Sequence, residues 1–174
     1  MRIESWRLAP ADAGDAGRLA LVGAASFLDG FAGIIGGDAM VAHCATKHSA
    51  EYYRDLLAPS DSRAWLVEAV PGGAPLGYCV LTAPDLPGAG EGDLEVKRIY
   101  TLSQLHGSGA GAAMMAAAIH AAREAGAKRL MLGVYTGNER AIGFYRKYGF
   151  EPVGKRQFTV GDQVCDDLVM AMAL

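Results

Sequence analysis

The feature that most constrains this 174-residue chain is a glycine-rich segment over 104–112, Gln-Leu-His-Gly-Ser-Gly-Ala-Gly-Ala. A run typical of a β-strand (94–102) ends just before it, and an Ala- and Met-rich run typical of a helix (110–125) begins inside it. Glycines at such a turn let the backbone approach a ligand closely, and the free N–H groups of the first helical turn face that ligand. The segment therefore indicates an anion site suited to a pyrophosphate.

The glycines alone fit more than one structure. Gly107-x-Gly109-x-x-Ala112 matches the dinucleotide-binding pattern, which also needs a doubly wound sheet and an acidic residue about 20 positions further on. The nearest acidic residue downstream, Glu124, lies late in the predicted helix, and only one strand–helix–strand unit follows. A nucleotide P-loop is excluded because no Gly-Lys-Ser/Thr follows. A tight turn that binds no ligand remains the alternative.

A second motif follows the next predicted strand (130–135). It reads Asn-Glu-Arg-Ala-Ile-Gly-Phe-Tyr-Arg-Lys-Tyr-Gly-Phe over 138–150. Asn138 and Tyr145 are about two helical turns apart, so their side chains lie on one face of the predicted helix. Each has a purely structural alternative, because Asn is a good helix N-cap and a tyrosine on such a face can simply pack in the core.

The other periodic runs complete a mixed pattern of strands and helices. The predicted strands cover 2–8, 64–70, 77–82, 94–102, 130–135, 152–159 and 164–173, and the predicted helices cover 12–30, 48–57, 110–125 and 139–148. Residues 31–45 are ambiguous because several glycines interrupt them. This order predicts an α/β (α+β) fold with one layer of sheet, in a single domain over 1–174.

Composition excludes several classes of protein. Hydrophobic residues make up 51% of the chain, enough for a sizeable core, and the net charge of −3 gives no basic footprint for nucleic acid. No apolar run approaches the roughly 20 residues that span a bilayer, and the first residues lack the pattern of a signal peptide. The three cysteines show no metal-type spacing. We expect a cytoplasmic protein with reduced thiols, no metal, no membrane partner and no nucleic-acid partner.

Taken together, the two motifs resemble the GNAT superfamily of acetyl-CoA-dependent N-acetyltransferases, over about residues 64–154. The resemblance implies a central mixed, mostly antiparallel sheet of about seven strands with a splayed middle, flanked by about four helices. Family members place two large apolar residues three and four positions after the last motif glycine. Gln104-x-x-Gly107-x-Gly109 also satisfies the glycine pattern of the family. Met114 and Met115 fit the apolar rule from Gly111, which favours the register His106-x-x-Gly109-x-Gly111.

The resemblance also implies the residues that bind acetyl-CoA as co-substrate. Backbone N–H groups of the loop bind the phosphates, and the end of the preceding strand pairs with the pantetheine arm. His106 stands where Gln or Arg is usual, and it is either a phosphate contact or a solvated loop residue. The implied cofactor-binding residues are Ile99, Tyr100, Thr101, His106, Gly107, Ser108, Gly109, Ala110, Gly111, Ala112, Asn138 and Tyr145.

The implied reaction is direct attack of a primary amine on the thioester through a tetrahedral intermediate. A backbone N–H near Thr101 stabilises the oxyanion, and Tyr145, a phenol protonated at pH 7, is the acid for the thiolate. Some family members carry a glutamate base where this chain has Gly133. Others carry it on the strand before the loop, which corresponds to Glu95. Glu95 is therefore the candidate base, with an ion pair to Lys97 or Arg98 as the alternative.

For the acceptor, the pattern along the chain resembles the PaiA-type branch, which includes spermidine/spermine N-acetyltransferases, and this implies a polyamine. A protein or peptide amine, another small-molecule amine, and a non-catalytic acyl-CoA-binding module remain alternatives. The terminal strands often support dimers in this superfamily, which makes a homodimer an expectation. Surface acids that a cationic acceptor could meet are Asp29, Asp38, Glu51, Asp85, Asp166 and Asp167.

Overall fold

The computed structural model describes residue 3 and residues 5–174, and a seven-stranded sheet runs through them in the order β1-β2-β3-β4-β5-β7-β6. The strands are β1 (Trp6–Ala11), β2 (Arg63–Ala69), β3 (Pro75–Thr82), β4 (Asp93–Thr101), β5 (Arg129–Tyr135), β6 (Glu151–Val160) and β7 (Gln163–Ala173). All neighbours are antiparallel except β4 and β5, which are parallel. This confirms the predicted α/β fold with a mostly antiparallel sheet.

In the described part of the chain five α-helices flank the sheet, one more than predicted. They are α1 (Ala16–Phe31), α2 (Gly37–Lys47), α3 (Ala50–Leu56), α4 (Ala110–Glu124) and α5 (Glu139–Lys147). The extra helix, α2, lies in the ambiguous segment 31–45, where glycines at its start and a single buried residue, Met40, hide the helical pattern. Two further differences are small: the first strand runs to Ala11 rather than ending at residue 8, and residues 2 and 4 of the predicted strand lie outside the described residues.

The central strands are buried on both faces, which explains their continuous apolar runs. In β3, Cys79 and Leu81 pack with α4 on one face, whereas Tyr78 and Val80 pack with α1 and α3 on the other. Helix α3 has a clear local signal at its start. Ser49 caps α3 by accepting a hydrogen bond from the Tyr52 backbone N–H (3.1 Å).

The three cysteines are free, with Cys79 and Cys165 buried. In the part of the chain that the structure describes, no helix is long and apolar enough to cross a bilayer.

Candidate active site

The sheet opens between its two parallel strands. Pairing of β4 with β5 covers only Asp93–Glu95 opposite Arg129–Met131, and beyond it β5 pairs with β7 alone. The register of β4 against β3 shifts at this point, because Val80 lies opposite Arg98 while Leu81 lies opposite Val96. Lys97 is thus an extra residue, a β-bulge that bends β4 away from β5. The splayed middle of the sheet is confirmed, and the far half of β4 has a backbone edge free to pair with a ligand.

The bulge also decides which side chains share a face. Residues directly opposite each other in an antiparallel pair point to the same side of the sheet. Glu95, Arg98 and Tyr100 lie opposite Thr82, Val80 and Tyr78, so all three face the side of the sheet that α1 covers.

The glycine loop adopts the predicted turn into α4. Gly107 and Gly109 have φ values of 80° and 86°, a left-handed conformation that a side chain would strain. The first hydrogen bond of the helix runs from the Ala113 N–H to the Gly109 carbonyl (3.0 Å), so the N–H groups of Gly111 and Ala112 precede it. Met114 and Met115 are both fully buried, as the register that ends at Gly111 predicts.

A cleft of about 750 Å³, here called the open cleft, joins these features. Its walls include Ile99, Tyr100 and Thr101 of β4, the loop 105–112, the end of α1 with Asp29 and Phe31, and most of α5. Most of the predicted cofactor-binding residues therefore surround one cavity; Ser108 and Ala110 lie in the loop without lining it, and the Ser108 hydroxyl accepts a hydrogen bond from the Ala110 N–H (3.3 Å).

Helix α5 places Asn138 and Tyr145 on the open cleft. The Asn138 side chain accepts a hydrogen bond from the Ala141 backbone N–H (3.1 Å), so it caps the helix while it lines the cavity. Tyr145 is 7% exposed, and burial, together with Tyr100 and Cys79, raises the pKa of its phenol well above the ordinary value. The Tyr145 phenol therefore stays protonated near pH 7. Tyr148, on the same helix, packs against Phe144 (ring centroids 5.1 Å apart) and does not line the open cleft.

The structure adds Arg140, which the sequence analysis missed. Its Nη2 lies 2.8 Å from Nε2 of His106, and both residues line the open cleft. Burial and the Arg140 charge lower the pKa of His106, so the imidazole is neutral and accepts from the guanidinium. The partners are 34 residues apart, and no spacing rule links a loop histidine to the first turn of a distant helix.

Glu95 lies beyond the open cleft. Its carboxylate is 2% exposed and accepts a hydrogen bond from the Asp85 backbone N–H (2.8 Å), and the Lys97 ammonium lies 4.0 Å away. The ion pair with Lys97 that the sequence offered as the alternative is therefore present, at the limit of such contacts. The role of Glu95 as a general base stays a prediction.

A second cavity, here called the inner pocket, lies on the α1 side of the sheet next to the open cleft. Aromatic rings from α1, α2 and β6 line it together with charged side chains from β4, β6 and β7. Its principal lining residues are Phe27, Phe31, His43, His48, Tyr78, Lys97, Arg98, Tyr100, Tyr135, Arg156, Phe158 and Asp167. Ser26, Phe31, Tyr100 and Tyr135 line both cavities, so the two lie side by side.

Of the surface acids expected to meet a cation, one reaches the inner pocket. Asp167 is 5% exposed and accepts from Arg156 Nε (3.2 Å). Asp29 instead accepts from the Ser103 N–H (2.7 Å) and holds the turn before the glycine loop. Asp85 lies 3.9 Å from Lys97. The remaining three, Asp38, Glu51 and Asp166, are exposed.

Position 133 explains where Arg156 lies. A Cβ added to Gly133 of β5 would come within 2.6 Å of Arg156 Nη2 and 2.9 Å of its Cζ. The Arg156 guanidinium thus occupies the space that a side chain at position 133 would take. Where some family members are expected to have a glutamate, this chain therefore has a positive charge.

Comparison with known proteins agrees with this geometry. The model of the acetyltransferase (GNAT) family matches residues 38–150. Over 115 residues the chain is 36% identical to an uncharacterized N-acetyltransferase of Mycobacterium tuberculosis, which covers 66% of this chain and 70% of that protein. A crystal structure of the PaiA N-acetyltransferase from Thermoplasma acidophilum in complex with coenzyme A has the same fold, with a TM-score of 0.78 and 20% identity over 98% of this chain and 99% of that one. A GCN5-related N-acetyltransferase from Rhodopseudomonas palustris gives a TM-score of 0.72 at 18% identity over 100% and 99%.

Proposed function

We propose that this chain, which belongs to the acetyltransferase (GNAT) family and is an N-acetyltransferase acting with acetyl-CoA, transfers the acetyl group directly to a primary amine. The observation that carries the direct mechanism is the protonated, buried phenol of Tyr145 on the wall of the open cleft, beside the free edge of β4.

The open cleft offers polar groups for the phosphates and for the pantetheine arm of acetyl-CoA. The N–H groups at the start of α4 suit the phosphates, because a helix N-terminus attracts anions. The unpaired edge of β4 at Ile99–Thr101 suits the amides of the pantetheine arm, which extended backbone can pair as a strand would. Asn138 and Arg140 line the same wall and offer further polar contacts.

In the transfer step, the amine nitrogen forms a bond to the thioester carbonyl carbon, and the bond from that carbon to sulfur breaks. A backbone N–H near Thr101 donates to the developing oxyanion. The Tyr145 hydroxyl gives its proton to the departing thiolate and regains one from solvent. The proton that the amine loses passes to Glu95 through water or to solvent.

The polyamine acceptor that the sequence predicted has little support from the charges of the inner pocket. A polycation is stabilised by carboxylates, whereas this pocket is lined by Lys97, Arg98 and Arg156 against the single carboxylate of Asp167. The proposal is therefore a primary amine in general.

A thiol-release assay with acetyl-CoA tests the proposal against a panel of amino acids, simple amines, spermidine and short peptides, with calorimetry to measure acetyl-CoA binding. Amine-dependent release of CoA supports acetyl transfer. Binding of acetyl-CoA without thiol release on any amine would instead favour a non-catalytic acyl-CoA-binding module.

Replacing Arg140 by Ala should raise the KM for acetyl-CoA about tenfold and leave kcat nearly unchanged. The guanidinium is fixed by His106 at the open cleft, and a charge-assisted hydrogen bond to a phosphate contributes about 1.5–3 kcal/mol. The effect should shrink as salt rises, because salt screens exposed charges. Arg123→Ala, which removes an exposed charge from the last turn of α4, is the matched control. Equal KM values for the two variants would exclude Arg140 from the phosphate site.

Replacing Gly133 by Ala should raise the KM for the acceptor about fivefold, with the KM for acetyl-CoA unchanged. The new methyl group pushes the Arg156 guanidinium out of its place beside Asp167, and losing such an ion pair costs about 1 kcal/mol. Gly154→Ala, in the same strand as Arg156, is the control, since its methyl group would meet only Val169 at 3.8 Å. A change in both KM values would mean that the substitution distorts the sheet rather than the pocket.

A further inference from the structure

Arg98 lies in the inner pocket without a carboxylate partner. Its Nη1 donates to the Lys97 carbonyl (2.9 Å), and its Nη2 reaches the Tyr52 hydroxyl at 3.4 Å. Among the described residues, no carboxylate oxygen lies within 4.0 Å of this guanidinium. An arginine is charged at every physiological pH, and a cation held in a pocket without a counter-ion is costly. This residue therefore has donors available for an anion.

The neighbours of Arg98 do not neutralise it. Asp167 is held by Arg156, and the Lys97 ammonium has its own carboxylates, Asp85 at 3.9 Å and Glu95 at 4.0 Å. Burial, Arg98 and His43 lower the pKa of His48 to about 3, and burial, Arg98 and Lys47 lower the pKa of His43. Both imidazoles are thus neutral at pH 7. The inner pocket keeps an excess of positive charge.

Much of the lining of the inner pocket is aromatic. Phe27 stacks on His43 with ring centroids 4.4 Å apart and on Phe31 at 4.7 Å, and Phe158 meets His43 edge-on at 5.7 Å. Such rings can pack against an apolar group of a ligand. To the ammonium groups of a polycation they offer only cation–π contacts with their faces. The inner pocket thus contains both aromatic rings and the guanidinium of Arg98.

The inner pocket shares lining residues with the open cleft, where the acetyl transfer is proposed to occur. Tyr100 lines both cavities, and it is close enough to Tyr145 to affect the pKa of the Tyr145 phenol. The inner pocket, with Arg98, therefore lies beside the cavity that holds the proposed acid.

We propose that the acceptor is a small amine that also carries an oxyanion, a carboxylate or a phosphate, bound by Arg98, and an apolar group packed on Phe27, Phe31 and His43. This inference rests on the proposed function, since it names the substrate class of the same site. Arginine suits the task because its planar fork donates two parallel hydrogen bonds to a carboxylate or phosphate.

Acetylation of matched acceptors tests whether the enzyme prefers an amine that carries an acid group. Phenylalanine, phenylalaninamide, its phosphonate analogue and spermidine are compared by kcat/KM with acetyl-CoA saturating. We expect kcat/KM for phenylalanine or its phosphonate analogue to be about tenfold higher than for phenylalaninamide, because the acid group makes one charge-assisted bidentate contact with Arg98. In Arg98→Gln the ratio of acid to amide should fall to about one, whereas Arg123→Gln should keep the wild-type ratio. The ranking of carboxylate and phosphonate separates the two oxyanions.

A binding measurement separates failure of this inference from failure of the proposed function. 3-Phenylpropionate has the carboxylate and the ring but no amine, so calorimetry in the presence of CoA needs no turnover. It should bind about tenfold more tightly than 3-phenylpropionamide, and Arg98→Gln should abolish the difference. Arg98→Lys, which keeps the charge, should restore part of it and shows that the fold survives.

Binding of the acid through Arg98 with no acetylation of any amine would overturn the proposed function and leave the anion site standing. Acetylation with equal preference for acid and amide, the best turnover on spermidine, or an acid preference that survives in Arg98→Gln would each overturn the anion site.

Discussion

Replacing Tyr145 by Phe should lower kcat about 100-fold and change the KM for acetyl-CoA by no more than about twofold. General acid catalysis contributes about 10²–10⁴ in rate, and the expected value is at the low end because a thiolate is a good leaving group. The ring contacts persist in the variant, since Phe144 and Phe150 pack on the ring with centroids 5.5 and 6.0 Å away. None of the hydrogen bonds among the described residues uses the Tyr145 hydroxyl, so the fold should lose little.

Steady-state kinetics at several pH values check this expectation. Because burial raises the pKa of Tyr145 above its ordinary value of about 10, the phenol should stay protonated and kcat of the wild type should not fall between about pH 7 and 9 through this group. Tyr148→Phe, on the same helix and packed on Phe144, is the matched control and should retain full kcat. If Tyr145→Phe keeps the wild-type kcat, the thiolate leaves without this acid, and solvent or another donor protonates it.

Much of the fold can be predicted from local patterns. The strands of the sheet are apolar runs with clear ends, and the two helices that bear the motifs begin and end at strong signals, Gly126 and Gly149 among them, both with positive φ. The family prediction is confirmed for the same reason, because its motifs are contiguous in the chain. Helix α2 was missed because it is mostly exposed and begins among glycines, so neither periodicity nor propensity marks it.

The inner pocket could not be predicted in this way. Its lining comes from α1, α2, β3, β4, β5, β6 and β7, and no sequence spacing records which of them meet. The bulge at Lys97 decides that Arg98 rather than its neighbours faces the pocket, and a bulge has no sequence signature of its own here. One signal was available. Position 133 is a glycine, whereas the resemblance implies a glutamate there in some family members. This difference indicates that another side chain fills the space, although it does not identify that side chain as Arg156.

Helix α1 passes close to a buried polar network at Gly23. The Tyr53 hydroxyl lies 2.9 Å from Nδ1 of His48 and donates to the Tyr78 hydroxyl at 3.1 Å, and both tyrosines are fully buried. Burial raises the pKa of Tyr53 to about 12, and burial lowers that of His48 to about 3, so the network is neutral at pH 7. A Cβ on Gly23 would lie 2.5 Å from His48 Nδ1 and closer still to the Tyr53 hydroxyl. The helix can approach only because this residue has no side chain.

Replacing Gly23 by Ala should therefore lower the free energy of unfolding by about 3 kcal/mol. Overpacking a core costs about 1–3 kcal/mol, and a displaced buried hydroxyl that loses its partner adds about 1–3 kcal/mol, partly offset by the better helix propensity of Ala. Urea unfolding followed by circular dichroism measures the change.

The same substitution at Gly17, near the start of the same helix, is the matched control. A Cβ there would meet nothing within 4 Å, so Gly17→Ala should stabilise the protein by up to about 1 kcal/mol, because alanine loses less backbone entropy on folding. Opposite signs from one chemical change in one helix would locate the cost of Gly23→Ala in the His48–Tyr53–Tyr78 network. Stabilisation by both substitutions would show that α1 can move away from the sheet without loss, and that the network does not hold the helix in place.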